Sequence, residues 1–170
     1  GEAEVVYCQN CDYAANVEQA ISMKVENKSF TDLLAMEMID TENNKTIEEV
    51  ANYLNVQPSM LIKTLIYKTD TGEFVAVLLR GDRALNEVKL INQIGCIEVS
   101  LAEEEDIKKI IGTDRGFIGP VGMKNIKIYS NKSINKYKNK IKLLGKDNKF
   151  ISIEKFLNII ILSYLILFFI

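Results

Sequence analysis

The tract Glu73–Leu90, EFVAVLLRGDRALNEVKL, constrains this chain more than any other, because its first half is apolar and its second half is densely polar. Phe74–Leu79 follows the turn residue Gly72 and stops at a polar RGDR sequence, which is the setting of a strand. The preceding run, LIKTLIYK over Leu61–Lys68, sets Leu65 and Tyr67 against Ile66. The two runs read as a hairpin turning at Gly72.

Helix signals surround that hairpin. Thr46 and Glu49 have the spacing of a capping box, and Ile47, Val50, Ala51 and Leu54 then recur on one helical face. Pro58 closes this segment or starts a short further turn. Leu85–Ile94 has helical spacing and meets Gly95 as a carboxyl cap. Ile97–Val99 reads as a short strand. Ser100 and Glu103 form a second capping box, predicting a helix over Ala102–Ile111 whose acidic start and Lys108–Lys109 finish suit the macrodipole; Gly112 ends it. Gly116–Gly122 holds three glycines and a proline and is a shaped loop, after which Ile126–Tyr129 returns as a strand. The pattern is mixed α/β, with short strands and interspersed helices.

The 170 residues suit one domain with a short appendage, and the 48% apolar content suffices for a core. A net charge of −2 conceals an asymmetry: residues 1–130 carry 13 basic against 21 acidic side chains, and residues 131–170 carry 8 against 2. The acidic body has no broad basic footprint of a nucleic-acid binder. Histidine is absent and there are three cysteines. Cys8-x-x-Cys11 offers half of a zinc site with only Cys96 remaining, short of the four ligands of a structural site, so reduced thiols and no metal or cofactor are expected. Gly1–Tyr7 lacks the basic start and apolar run of a signal peptide, which makes the cytoplasm the expected location.

Residues 131–170 differ in kind. Ile, Lys, Leu, Asn, Phe and Tyr fill 34 of these positions, the composition that A/T-rich nucleic acid yields when read without selection for a fold. A frameshift or gene remnant is the expected origin. The rival, a membrane tail at Phe156–Ile170, has 15 residues, fewer than the ~20 of a spanning helix. No functional membrane anchor is expected.

Three blocks carry a resemblance: TIEEVANYL with LIKTLIYK, then the RGD and NEVK sequences of the opening tract, then GFIGPVGM at Gly116–Met123. In order and spacing they resemble, over positions 36–130, the editing domain inserted into bacterial prolyl-tRNA synthetases, a relative of the YbaK-type free-standing deacylases. YCQNCDYAANVEQA at Tyr7–Ala20 is similar to the segment by which the synthetase body leads into that insertion. The implied organisation is a remnant of the catalytic body at 1–24, the editing domain at 25–130, and the atypical tail at 131–170. The resemblance also implies a compact, barrel-like mixed sheet with surrounding short helices. No class II motif of the GxGxxR kind is present, so aminoacylation by this chain alone is not expected.

The activity implied is hydrolysis of the ester joining a wrong amino acid, alanine, to the proline tRNA. Its partners would be the tRNA(Pro) acceptor end carrying alanine and the rest of a synthetase, which would hold the tRNA. An aminoacyl ester is already activated, so a site need only place water and stabilise an oxyanion, a task for lysine and backbone N–H groups without a protein nucleophile. By resemblance Lys63 is the functional lysine of the KTL motif, and Gly116, Gly119 and Pro120 form the GxxxP loop. Thr41, Ile47 and Val50 match positions lining the pocket for a small side chain. Glu42 stands where the family has proline. Arg80-Gly81-Asp82 is read as a structural turn, and Asn86 or Glu87 as a cap. Asn131 replaces an acidic residue of the family, and a downstream histidine has no counterpart, which leaves two rivals: a non-catalytic tRNA or protein binding module, and a disabled remnant of a synthetase gene.

Overall fold

The computed structural model describes residues 3–21, 44–120, 123–131, 134, 142–143 and 168–169. Near the amino end, Val5–Tyr7 (β1) pairs antiparallel with Ala14–Asn16 (β2). Lys89 ties this small sheet's exit to the main body through a 2.7 Å hydrogen bond from Nζ to the Ala20 carbonyl.

The main body begins with Ile47–Tyr53 (α1), whose capping box forms as its sequence predicts: the Thr46 hydroxyl accepts from the Glu49 N–H, and the Glu49 carboxylate accepts from the Thr46 N–H. Pro58–Met60 is one 3-10 turn, with proline at its first position where no N–H is needed. Leu61–Thr69 (β3) and Phe74–Arg80 (β4) form the hairpin, paired from Ile62↔Arg80 to Lys68↔Phe74. Gly72 adopts φ +81° in the turn, a region most L-residues avoid.

Glu87–Ile94 (α2) starts two residues later than Leu85, because Asn86 is its cap: the Asn86 side chain accepts from the Lys89 N–H, and Gly95 ends the helix in the left-handed region. Val99–Leu101 (β5) is the strand expected at Ile97–Val99, shifted by two residues. Ile97 is 86% exposed. The shift removes the second capping box, since Ser100 lies in the ladder opposite Lys68 and the Ala102 N–H donates to the Ile66 carbonyl. Glu104–Ile111 (α3) therefore begins after Glu103, which makes no side-chain cap, and ends at Gly112. Lys127–Ser130 (β6) lies parallel to β4.

Two short strands follow, Lys142–Leu143 (β7), parallel to β3 at Leu61 and Ile62, and Phe168–Phe169 (β8), parallel to β6. The strand order is β5-β3-β4-β6-β8, with β7 beside β3. The mixed α/β class is as expected, while among the described residues the sheet is an open path rather than a closed ring.

Apolar residues on both faces of the hairpin are explained by a cover on each side. Ile62, Ile66, Ala76, Leu78 and Ile128 face Ile107 of α3, with Ala102, Ile118, Ile126 and Ile134 completing that layer. On the other face Tyr67, Val75, Val77, Leu79 and Tyr129 pack against Leu90 of α2 and Val99. Successive residues of β4 thus serve opposite layers, the period of two that a strand imposes. Each buried Leu or Ile contributes about 1.5–3 kcal/mol. Ile134, 4% exposed, belongs to the first of these layers.

Candidate functional site

The site grows from an interruption in the sheet. One edge of β3 pairs with β4 along its length, while among the described residues the other pairs with β7 at Leu61 and Ile62 and with β5 from Tyr67 onward, and with nothing between. A cavity of about 190 Å³ lies at this gap. Its apolar walls come from Ile47, Ile62, Leu65, Ile66, Leu101, Ile107 and Ile118, and its charged lining from Lys45, Lys63 and Arg115. Thr64 and Gly116 complete it.

Lys63 Nζ donates to the Gly81 carbonyl at 3.3 Å, which leaves two further ammonium donors to direct elsewhere. Gly81 is itself fixed. Its N–H donates to the Leu61 carbonyl at 2.7 Å, and the turn around it is clamped by Arg80 on Asp82, with Nη2 to Oδ2 at 2.7 Å. That clamp holds the Asp82 carboxyl below its ordinary range, chiefly through the Arg80 hydrogen bond. A Cβ at Gly81 would collide with the Pro58 carbonyl and stand 3.0 Å from Ile47 Cγ2, so glycine lets the turn, the 3-10 segment and α1 meet.

On the opposite wall Gly116 adopts φ +99°, and a Cβ there would stand 3.0 Å from Lys45 Cβ. Lys45 Nζ lies 5.5 Å from the Phe117 ring centroid, within cation–π range. The Lys45 main chain is held by Glu49, whose Oε2 accepts its N–H at 2.9 Å. Backbone donors from Thr46 and Lys45 keep the Glu49 carboxyl below its ordinary range. Arg115 Nη2 donates to the Ala102 carbonyl at 2.5 Å and fastens the loop to the β5–α3 junction. None of the ion pairs among the described residues involves Lys45, Lys63 or Arg115.

Of the residues singled out from the sequence, Lys63, Ile47 and Gly116 meet at this cavity. Gly119 and Pro120 are buried just beyond Ile118 in the same loop. Val50 is fully buried and packs with Ala51 and Leu61, behind Ile47. Thr41 and Glu42 lie outside the described residues. Glu87 is no cap: it accepts from the Tyr67 hydroxyl at 3.0 Å. The Asn131 N–H donates to the Leu78 carbonyl. Cys8, Cys11 and Cys96 are free thiols. Sequence reasoning passed over Lys45, Thr64 and Arg115. The last two adjoin Lys63 and Gly116 in sequence, and that adjacency was the available signal.

A mixed sheet covered on both faces, with a cavity of cationic and apolar lining at a strand edge unpaired among the described residues, defines a small α/β domain with a pocket at its sheet edge. Residues 41–154 match the family model of the aminoacyl-tRNA editing domain, and the chain belongs to that family. It is 43% identical over 135 residues to the proline–tRNA ligase of Desulforamulus reducens, which covers 79% of this chain and 24% of that protein. Against the proline–tRNA ligase of Brachyspira hyodysenteriae it is 39% identical over 165 residues, 94% of this chain and 28% of the relative. The chain thus spans about a quarter of the length of these relatives. The family model extends to residue 154, past the boundary expected at 130.

Among solved structures, a hypothetical protein superposes with a TM-score of 0.65 at 23% identity, covering 79% of this chain and 89% of its own. A candidate trans-editing enzyme for prolyl-tRNA synthetase gives 0.64 at 16%, covering 78% and 83%. These likenesses establish the fold. No helix among the described residues is long and apolar enough to cross a membrane.

Proposed function

We propose that the domain hydrolyses the ester of alanyl-tRNA(Pro), clearing a mischarged amino acid from the acceptor end. The observation that carries this reading is the convergence of Lys63, Ile47 and Gly116 on one cavity that has cations and apolar walls and, among the described residues, no carboxylate in its lining. Attack of water on an ester places negative charge on the former carbonyl oxygen. A positioned ammonium in a partly dehydrated site stabilises that charge more than it stabilises the neutral ester, which is the condition for lowering the barrier. Lys63, held by the Gly81 carbonyl and half-buried, is the residue suited to it.

The apolar wall sets selectivity. Ile47 limits the side chain admitted, and each methylene rejected in such a pocket contributes about 1–3 kcal/mol of discrimination. Val50 supports Ile47 from behind. The partners in this reading are the alanylated acceptor end and the remainder of a synthetase that grips the tRNA, and the compartment is the cytoplasm, where those substrates are.

Deacylation of alanyl- and prolyl-tRNA(Pro) by the chain tests the proposal. Alanyl ester loss should exceed prolyl ester loss, and Lys63→Ala should lower the alanyl rate by about 10²–10³-fold, the scale for removing one electrostatic stabiliser. A folded chain that binds alanylated tRNA yet releases no alanine would assign the domain to binding alone.

A further inference from the structure

The register of β3 decides what its open edge presents. Leu61 and Thr69 exchange main-chain hydrogen bonds with the β4 side, where Gly81 N–H reaches the Leu61 carbonyl and Thr69 N–H reaches Glu73. The even-numbered residues turn the other way: the Ile66 carbonyl accepts from Ala102, and Asp70 N–H donates to Glu98. Thr64 belongs to this second set. It sits between the last β7 pair, at Ile62, and the Ala102–Ile66 bond, so its main-chain N–H and C=O face the cavity with no strand alongside among the described residues.

Its side chain adds a second anomaly. Thr64 is 8% exposed, and its Oγ1 has no hydrogen-bond partner. A buried hydroxyl left unpaired costs about 1–3 kcal/mol, so such groups in folded proteins call for an explanation. The cavity supplies one. Among the described residues its other lining side chains are aliphatic or cationic, and a cation can only donate, so Thr64 carries the one side-chain acceptor of the described lining. An aminoacyl ester brings an α-ammonium group, which the three neighbouring cations repel and which therefore needs acceptors.

Resting on the deacylase reading above, we propose that Thr64 receives the substrate's α-ammonium group, through its hydroxyl and its cavity-facing main-chain carbonyl. In this arrangement the amino acid lies against the strand edge as a one-residue extension of the sheet, the way edge strands recognise peptide backbones. Thr64 thereby selects α-amino esters over other acyl esters and fixes the ester carbonyl relative to Lys63. It is a specificity-determining residue.

The test compares Thr64→Val and Thr64→Ser with the unaltered chain on two esters of the same tRNA, alanyl and lactyl, the second having a hydroxyl in place of the α-ammonium. Thr64→Val keeps the shape and the β-branch and removes only the hydroxyl. It should lower kcat/KM for the alanyl ester by about 10–100-fold, the range for losing a hydrogen bond to a charged group, and change the lactyl ester by less than about twofold. Thr64→Ser should recover most of the alanyl rate. The Tm of Thr64→Val should equal or exceed that of the parent, since an unpaired hydroxyl is gone.

Equal losses on both esters, or no loss on either, would overturn the assignment while leaving the deacylase reading intact. Binding of an amide-linked, non-hydrolysable alanyl-adenosine separates the two claims further. A parent chain that hydrolyses neither ester but binds this analogue, with binding weakened by Thr64→Val, would keep the Thr64 assignment and end the deacylase reading. Failure to bind or hydrolyse anything would end both.

Discussion

Gly81 shows how one residue without a side chain can hold a site together. It receives Lys63 on its carbonyl and gives its N–H to Leu61, and its empty α-position accommodates the Pro58 carbonyl and Ile47. Because the obstacle to a Cβ is main chain rather than the end of a flexible side chain, Gly81→Ala forces the turn or the 3-10 segment to move. The expected cost is about 1–3 kcal/mol, typical of overpacking, and is read as a lowered Tm. Deacylation should fall with it as Lys63 loses its anchor, whereas Gly72→Ala, in an open turn, should lose stability with little change in kcat. That Lys63, Ile47 and Gly116 lie together was legible from the resemblance of the motifs that hold them, as was the turn at Arg80 and Asp82. Thr64 was not. Its only local mark is its place beside Lys63, and what exposes it is the place where, among the described residues, two distant strands stop pairing.

At the scale of elements, one link between β3 and α2 is the partly buried Tyr67–Glu87 hydrogen bond. Burial, and then the Glu87 carboxylate, push the Tyr67 phenol up from 10.0 to about 12. The folded state therefore holds the phenolic proton more tightly than the unfolded chain does. The resulting stability is fully present below pH 10 and is lost as pH rises toward about 12. Tyr67→Phe should remove that part of the alkaline loss, so denaturation midpoints of parent and variant, compared across this window, should converge as pH rises. Near neutrality the variant should be less stable by about 1 kcal/mol for the lost hydrogen bond. Tyr129, also raised by burial, is unchanged in both chains and cancels in the difference. Elements with complete local signals, α1 with its box and α2 with its glycine stop, were legible in the sequence. β5 was misplaced because Ser100-x-x-Glu103 looks like a cap, while the competing use of that backbone, in the ladder to Lys68 and on the Ile66 carbonyl, is a long-range contact. The α3 start was misjudged for the same reason.

Over the whole molecule, charge is distributed against the grain of the site. Residues 1–130 carry 21 acidic and 13 basic side chains, yet among the described residues the cavity is lined by three cations and no carboxylate. On the proposed function, an acceptor end approaching this surface would be repelled by the acidic body and attracted by the cavity's cations, which would orient it while adding little overall affinity. Arg115 precedes Gly116 in sequence and Lys45 lies against it in space, where both can meet a backbone phosphate next to the terminal nucleotide, while Lys63 is held by Gly81. Replacing either flanking cation by glutamine keeps its stem and removes its charge. Lys45→Gln and Arg115→Gln should each raise KM for alanyl-tRNA and make the dependence of log KM on log salt shallower by about one unit per lost phosphate contact. Hydrolysis of alanyl-adenosine, which has no phosphate, should be unchanged in both. A loss of equal size on the two substrates would show that these residues shape the cavity rather than bind the phosphate, and would leave the acceptor end to be oriented by the rest of a synthetase.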